Sequence, residues 1–232
     1  MKYTKRLDGR KFEEARPIEA KVGVVKRADG SAMFRTGKTI AIAAVYGPRE
    51  LHPSHLRNSE KGILRCNYNM MAFSTAQERV RPGPSRRSKE INLVMEKALL
   101  PVLDLSEFPN TVIDVFVELP QTDAGTRCAG INAAALALAD AGLAMKDIIS
   151  SISVGKVGDK IVADLSKEEE DFEGGATDIP VAIMPRTNKL TLLQLDGNVS
   201  KDELKEALEM AKKSCQEIYK IQVKALKEKY GA

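Results

Sequence analysis

Four arginines, Arg79, Arg81, Arg86 and Arg87, fall within nine residues, interleaved with Pro82, Gly83 and Pro84. Guanidinium forks match phosphate oxygens two at a time, and Pro and Gly hold such a segment open as a loop. Arg86 and Arg87 stand where an amphipathic helix begins. Cations there are unfavourable until an anion arrives. A solvated basic loop accounts for the same residues equally well. A second anion-binding pattern is Asp123-Ala-Gly-Thr-Arg127, placed before an Ala-rich stretch. Gly125 lets the backbone approach a ligand, Thr126 and the first helical N–H groups can donate to phosphate, and Arg127 adds charge. Thr126 as a plain helix N-cap is the competing reading. The third pattern is acidic: Asp164, Glu168, Glu169, Glu170, Asp171, Glu173 and Asp178, with Gly174-Gly175 inside it. Most of this run reads as solvated charge. Asp178 differs, because an apolar strand begins there. A carboxylate at a strand end beside a Gly-rich loop suits acid–base work or a Mg2+ ion. Together the three patterns point to phosphoryl transfer on a polyanion.

Other chemistries fit poorly. Thr36-Gly-Lys-Thr39 has the look of the end of a phosphate-binding P-loop, but Ala32 stands where the first glycine is needed. A β-branched run follows where the motif requires a helix. His52 and His55 are the only histidines, in a Pro-containing loop with no third ligand. That leaves neither a zinc site nor a Ser-His-Asp triad. Cys66, Cys128 and Cys215 lie far apart with no CxxC spacing, as expected of buried thiols in a reducing compartment.

The elements that must position these residues follow from length and periodicity. The chain has 232 residues, 43% hydrophobic and 29% charged, with no Trp. That composition suits one globular domain, or two fused halves, with an aliphatic core. Lys plus Arg is 36 against 32 for Asp plus Glu, a net charge of +4, so the clustering of basic residues says more than their total. No apolar run is long enough to span a membrane, and residues 1–10 lack the apolar core of a secretory signal. An intracellular soluble protein is expected. Strands are predicted at 16–25, 31–36, 39–46, 64–70, 111–119, 148–157, 160–164, 179–184 and 189–195, with Asp29-Gly30 and Gly158-Asp159 as turns. Helices are predicted over 85–103 and 127–141, with a third opened by the capping box Ser200-Lys-Asp-Glu203. The fold class is α+β, with two similar halves meeting near 120–127.

The same residues resemble the RNase PH family, and within it the catalytic RNase PH-like subunit of archaeal exosomes. The likeness is carried over nearly the whole chain by motifs in order. These are Arg6-Leu-Asp-Gly-Arg10, Ala44-Val-Tyr-Gly-Pro-Arg-Glu50, Phe73-Ser-Thr75, Pro84-Ser-Arg-Arg87, Asp123-Ala-Gly-Thr-Arg127, Glu169-Glu-Asp171, Asp178-Ile-Pro180 and Gln194-Leu-Asp-Gly197. The resemblance implies a single domain over 1–232 of two β-α-β-type halves, the ribosomal protein S5 domain 2-like fold. It implies a cytoplasmic hexameric ring of three heterodimers with a non-catalytic RNase PH-like subunit, RNA-binding cap proteins and single-stranded RNA as partners. The implied reaction is phosphorolysis of RNA from the 3′ end, with inorganic phosphate as co-substrate and Mg2+ as cofactor. Gly125, Thr126 and Arg127 would hold phosphate. Arg86 and Arg87 would hold RNA, with Lys61 guiding it at the pore mouth. Asp178 would be the general acid or metal ligand, and Asp171 a second acid. The stretch from Asp171 to Asp178 is one residue longer than the family pattern, so Glu170 or Glu173 competes for the place of Asp171. Two alternatives remain: a catalytically silent RNA-binding ring subunit, and a bacterial-type homohexamer that trims tRNA 3′ ends.

Overall fold

The Ala-rich stretch forms α2 (Thr126–Asp140), with side chains buried on every face. A helix apolar all round belongs inside a protein, and α2 packs on strands of both sheets. Its small side chains permit close approach: a Cβ on Gly30 would lie 2.3 Å from the carbonyl oxygen of Ala137. A computed structural model describes residues 3–76 and 79–231. The first sheet holds β1 (Ile18–Val22), β2 (Gly30–Thr36), β3 (Thr39–Glu50), β4 (Ile63–Met70) and β5 (Thr111–Gln121), in the order β1-β2-β3-β5-β4. Among the described residues only β4 and β5 pair in parallel, and α1 (Arg86–Leu99) makes the crossover that such a pair requires. The second sheet is antiparallel: β6 (Ser150–Val157), β7 (Lys160–Ala163), β8 (Ala176–Met184) and β9 (Lys189–Leu193), in the order β7-β6-β8-β9. A four-residue helix, α3 (Lys167–Glu170), precedes β8, and α4 (Lys201–Tyr230) closes the chain. One apolar cluster runs through both sheets, α1, α2 and α4. No described helix is long and apolar enough to cross a membrane.

The α+β class agrees with the sequence reading, and so does the element order apart from α3, which that reading lacks between β7 and β8. Thr36 pairs with Thr39 across a two-residue turn, so the P-loop look-alike is a β-hairpin. The Ser200 box caps α4 as expected. All three cysteines are buried and free.

Several expectations are corrected. β1 stops at Val22, and the reversal is the loop from Gly23 to Asp29 rather than an Asp29-Gly30 turn. Ser31 holds that loop by accepting from the N–H of Val25, and the Asp29 carboxylate accepts from the N–H of Gly47. α1 ends at Leu99, and Pro101 lies in the short 3-10 turn that follows. Asp178 is the third residue of β8, not its start. Ala176 and Thr177 before it pair with Val157 and Lys156 of β6, and Asp178 itself exchanges two backbone hydrogen bonds with Asp196. The acidic run is not all solvated: Glu169 is 1% exposed.

Candidate active site

β5 runs directly into the Asp123-Ala-Gly-Thr-Arg127 turn, and that turn is clamped from beneath. The buried Arg16 guanidinium donates to both oxygens of Asp164 at 2.8 and 2.7 Å, to the Asp123 carboxylate at 3.1 Å and to the Ala124 carbonyl at 3.2 Å. Thr39 donates its hydroxyl to the same carbonyl at 2.9 Å and accepts from the Asp123 N–H at 3.0 Å. Gly125 sits at φ +70°, a conformation that favours glycine, and is itself the N-cap of α2. It makes no side-chain cap bond. Thr126 is therefore the first helical residue, and the N-cap reading of its hydroxyl is corrected. The unpaired N–H groups of the first turn and this hydroxyl remain available to an anion.

The turn opens on a cleft of about 350 Å³ between α2, α3 and β8. Of the predicted residues, Gly125, Thr126, Arg127, Arg87, Asp171 and Asp178 line it. Arg127 is held by Gln194, whose Oε1 accepts from Nη1 at 2.9 Å. Arg87 enters from the first turn of α1, which is capped by Ser85 and carries no acidic residue. Arg86 is exposed beside it and is not part of the cleft wall. Lys61, also exposed, precedes β4, at the opposite end of that strand from the cleft. The separation is roughly 25 Å at the rise of an extended chain. No histidine lines the cleft.

The carboxyls inside differ in environment. Burial pushes the Asp178 carboxyl above the ordinary Asp range, and Asp196 adds to the rise. The Ser153 hydroxyl, which donates to Asp178 Oδ1, opposes it together with Arg127 and Arg87. Burial and the charge of Asp178 raise Glu170 in the same way, against Lys167 and Arg87. Asp171 instead accepts from Lys167 Nζ at 2.8 Å and is half open to solvent. Glu173 is exposed and outside the cleft wall. Cys128 also lines the cleft, but burial raises its thiol to about 12, which leaves no thiolate for attack near neutral pH.

α3 carries Glu170, has Asp171 as its C-cap and is only four residues long, so it needs an anchor. The buried Arg6 supplies it: Nε and Nη2 donate to the Glu169 carboxylate at 2.8 and 2.7 Å, and the Tyr3 hydroxyl adds a bond at 2.7 Å. A buried carboxylate persists only when paired in this way. Sequence reasoning missed the parts played by Ser153, Gln194, Lys167 and Asp196. Ser153 carried a faint signal, as a polar residue inside an apolar strand. Among the described residues no cluster of three or more His, Cys, Asp or Glu could hold a metal. Mg2+ needs no such cage, since one or two carboxylates plus substrate phosphates suffice. Asp178 with Glu170 or Asp171 fits that pattern.

Comparisons with known proteins place the chain in a family. Residues 14–144 match the first domain of the 3′ exoribonuclease (RNase PH) family, and residues 147–214 match its second domain. The chain belongs to the 3′ exoribonuclease family. It is 55% identical over 226 residues to Exosome complex component Rrp41 of Thermococcus kodakarensis, covering 97% of this chain and 90% of that one. It is 51% identical to the protein of the same name from Methanopyrus kandleri, covering 97% and 93%. Two solved structures share the fold. Rice (Oryza sativa) Rrp46 gives a TM-score of 0.84 at 24% identity, covering 96% of this chain and 100% of that one. The Archaeoglobus fulgidus exosome with RNA bound to the active site gives 0.78 at 22%, covering 97% and 92%. The family is phosphorolytic, so the enzyme class is 3′→5′ exoribonuclease with inorganic phosphate as co-substrate.

Proposed function

We propose that this chain is the catalytic subunit of a cytoplasmic exosome ring of three heterodimers. It pairs there with a non-catalytic RNase PH-like subunit beneath RNA-binding cap proteins. One observation carries the catalytic part: a single cleft holds an anion turn, two arginines from different helices and a carboxyl whose pKa is raised. The arrangement has no protein nucleophile, and phosphorolysis needs none. Gly125, Thr126 and Arg127 hold inorganic phosphate, and Arg87 holds the terminal RNA phosphate against it. An oxygen of the bound phosphate attacks the phosphorus of the last 3′ phosphodiester. The bond from that phosphorus to the preceding 3′ oxygen breaks, and protonated Asp178 gives its proton to that oxygen. The products are a nucleoside 5′-diphosphate and an RNA one residue shorter with a free 3′ hydroxyl. The reverse reaction adds nucleotides from diphosphates. Positioning two anions and offsetting their repulsion is the main work of the site. Alternatively an ionised Asp178 and a neighbouring carboxylate would hold Mg2+, which would then offset the charge on the departing oxygen in place of the proton.

A silent ring subunit would lack the phosphate turn or the acid. Both line the cleft, which supports the catalytic reading. The test is incubation with oligo(A), phosphate and Mg2+, with and without the partner subunit. ADP released only when phosphate is present is the expected result. AMP released equally well without phosphate overturns it. A homohexamer formed and active without a partner would favour the tRNA-trimming alternative instead.

Two neighbours compete for the second acid, Asp171 by its motif position and Glu170 by its closeness in charge to Asp178. Asp171→Asn and Glu170→Gln measured side by side separate them, since the larger loss of turnover marks the acid. RNA is held through phosphates, with Arg86 beside Arg87 on the path and Lys61 at a distance. Binding should depend steeply on salt and little on sequence. Replacing Arg86 and Arg87 by Ala should flatten the log affinity against log salt slope by roughly 0.7 per lost contact. An unchanged slope in salt titrations would mean that neither arginine meets RNA.

A further inference from the structure

Tyr68 lies on the inward face of β4 with Leu64 and Cys66 and is 4% exposed. Its N–H donates to Asn92 Oδ1 of α1 at 2.6 Å. Its ring lies over α2 at Gly130, where a Cβ would sit 3.7 Å from the ring edge. Thr126 is one helical turn toward the N-terminus on the same face of α2. The phenolic oxygen is buried and has no hydrogen-bond partner among the described residues. It lies beside the Thr126 side chain, within the field of Arg87 and Arg127. Burial raises its pKa despite those charges, so the group is a neutral O–H with a proton to give.

An unpaired buried hydroxyl destabilises a fold, and Phe would fill the same space without that cost. Packing alone therefore does not account for the oxygen. Thr126 does, because its hydroxyl is not used to cap α2. A threonine hydroxyl has one proton and two lone pairs. Once it accepts a proton from one side, its own proton is free to turn to the other, where the cleft lies. We propose that Tyr68 is a positioning residue for the phosphate pocket: the phenol, unpaired in the free chain, donates to Thr126 Oγ1 when phosphate binds and commits the threonine proton to the anion. Tyr68 is not part of the cleft wall, so it acts through Thr126 and not by contact. The inference rests on the reading of Gly125-Thr126-Arg127 as the phosphate site.

The test uses the full chain with inorganic phosphate as probe, read as the phosphate-dependent rise in melting temperature, and the phosphate KM of the assembled enzyme. Tyr68→Phe should melt at the parent temperature or above it without phosphate, since it removes an unpaired polar atom. Its phosphate affinity should fall roughly three- to tenfold, the scale of one neutral hydrogen bond. RNA affinity without phosphate should not change. On a Thr126→Val background the Tyr68→Phe effect should vanish, and on Thr126→Ser, which keeps the hydroxyl, it should return. Arg127→Ala is the control for the pocket itself. If Arg127→Ala loses phosphate affinity while Tyr68→Phe keeps it, the role of Tyr68 is overturned and the pocket stands. The role is also overturned if Tyr68→Phe acts in full on Thr126→Val. If neither Arg127→Ala nor Tyr68→Phe weakens phosphate binding, the pocket assignment fails and the role of Tyr68 falls with it.

Discussion

Asp178→Asn is expected to lose on the order of 10²-fold or more in turnover, the scale of general acid catalysis. Its RNA affinity should stay within a few-fold of the parent. Asn has the shape of Asp, and Ser153 can still donate to its Oδ1, so the cleft keeps its form. What is lost is a proton that can be given to the departing 3′ oxygen. The sign of the pH dependence follows from burial, which raises the Asp178 pKa. The proposed acid role needs the protonated form, so the parent rate should fall as pH rises through that raised value, and the residual rate of Asp178→Asn should lack this limb. Stability carries the same signature. Between the ordinary Asp value and the raised one the folded state binds more protons than the unfolded state, so stability falls as pH rises across that window. The Asn variant should lose that part of the slope in denaturant titrations at several pH values. Near-normal turnover in single-turnover assays would take the acid role from Asp178 and give it to Glu170 or Asp171.

What could be read from the sequence was what is local. α2 showed itself because a helix that must lie between two sheets has to be built of Ala. The Ser200 box announced α4, and the two anion-binding patterns are each contained in one short segment. The errors came where distant residues decide. β8 begins before Asp178 because Ala176 and Thr177 pair with Val157 and Lys156 of β6. Glu169 is buried because Arg6 meets it from across the chain. Arg16 clamps the Asp123-to-Arg127 turn from more than a hundred residues away. No periodicity records such meetings. The site shows the same division: each motif was visible, but the partition of the acids was not. Whether Glu170 or Asp171 faces Asp178 depends on where Lys167 points, and on α3 being anchored by Glu169.

Arg127→Ala should raise the phosphate KM roughly ten- to a hundredfold, or abolish phosphorolysis. That range corresponds to one charge-assisted hydrogen bond worth about 1.5–3 kcal/mol. RNA affinity measured without phosphate should remain within a few-fold of the parent. The separation follows from where the two arginines come from. Arg127 stands on the first turn of α2 beside Gly125 and Thr126, and Gln194 holds its guanidinium at 2.9 Å. This makes a small, preorganised pocket, matched to a compact dianion. Arg87 comes from a different helix, which follows the Arg- and Pro-rich loop. The reverse reaction should weaken as well, because the terminal phosphate of the incoming diphosphate would occupy the same pocket. Gln194→Ala should give a smaller change in the same direction, since it frees the guanidinium without removing it. Phosphate titrations at saturating RNA, beside RNA binding without phosphate, separate the two sites. Loss of RNA binding with an unchanged phosphate KM would mean that Arg127 serves the polymer and the arginine loop serves the free anion.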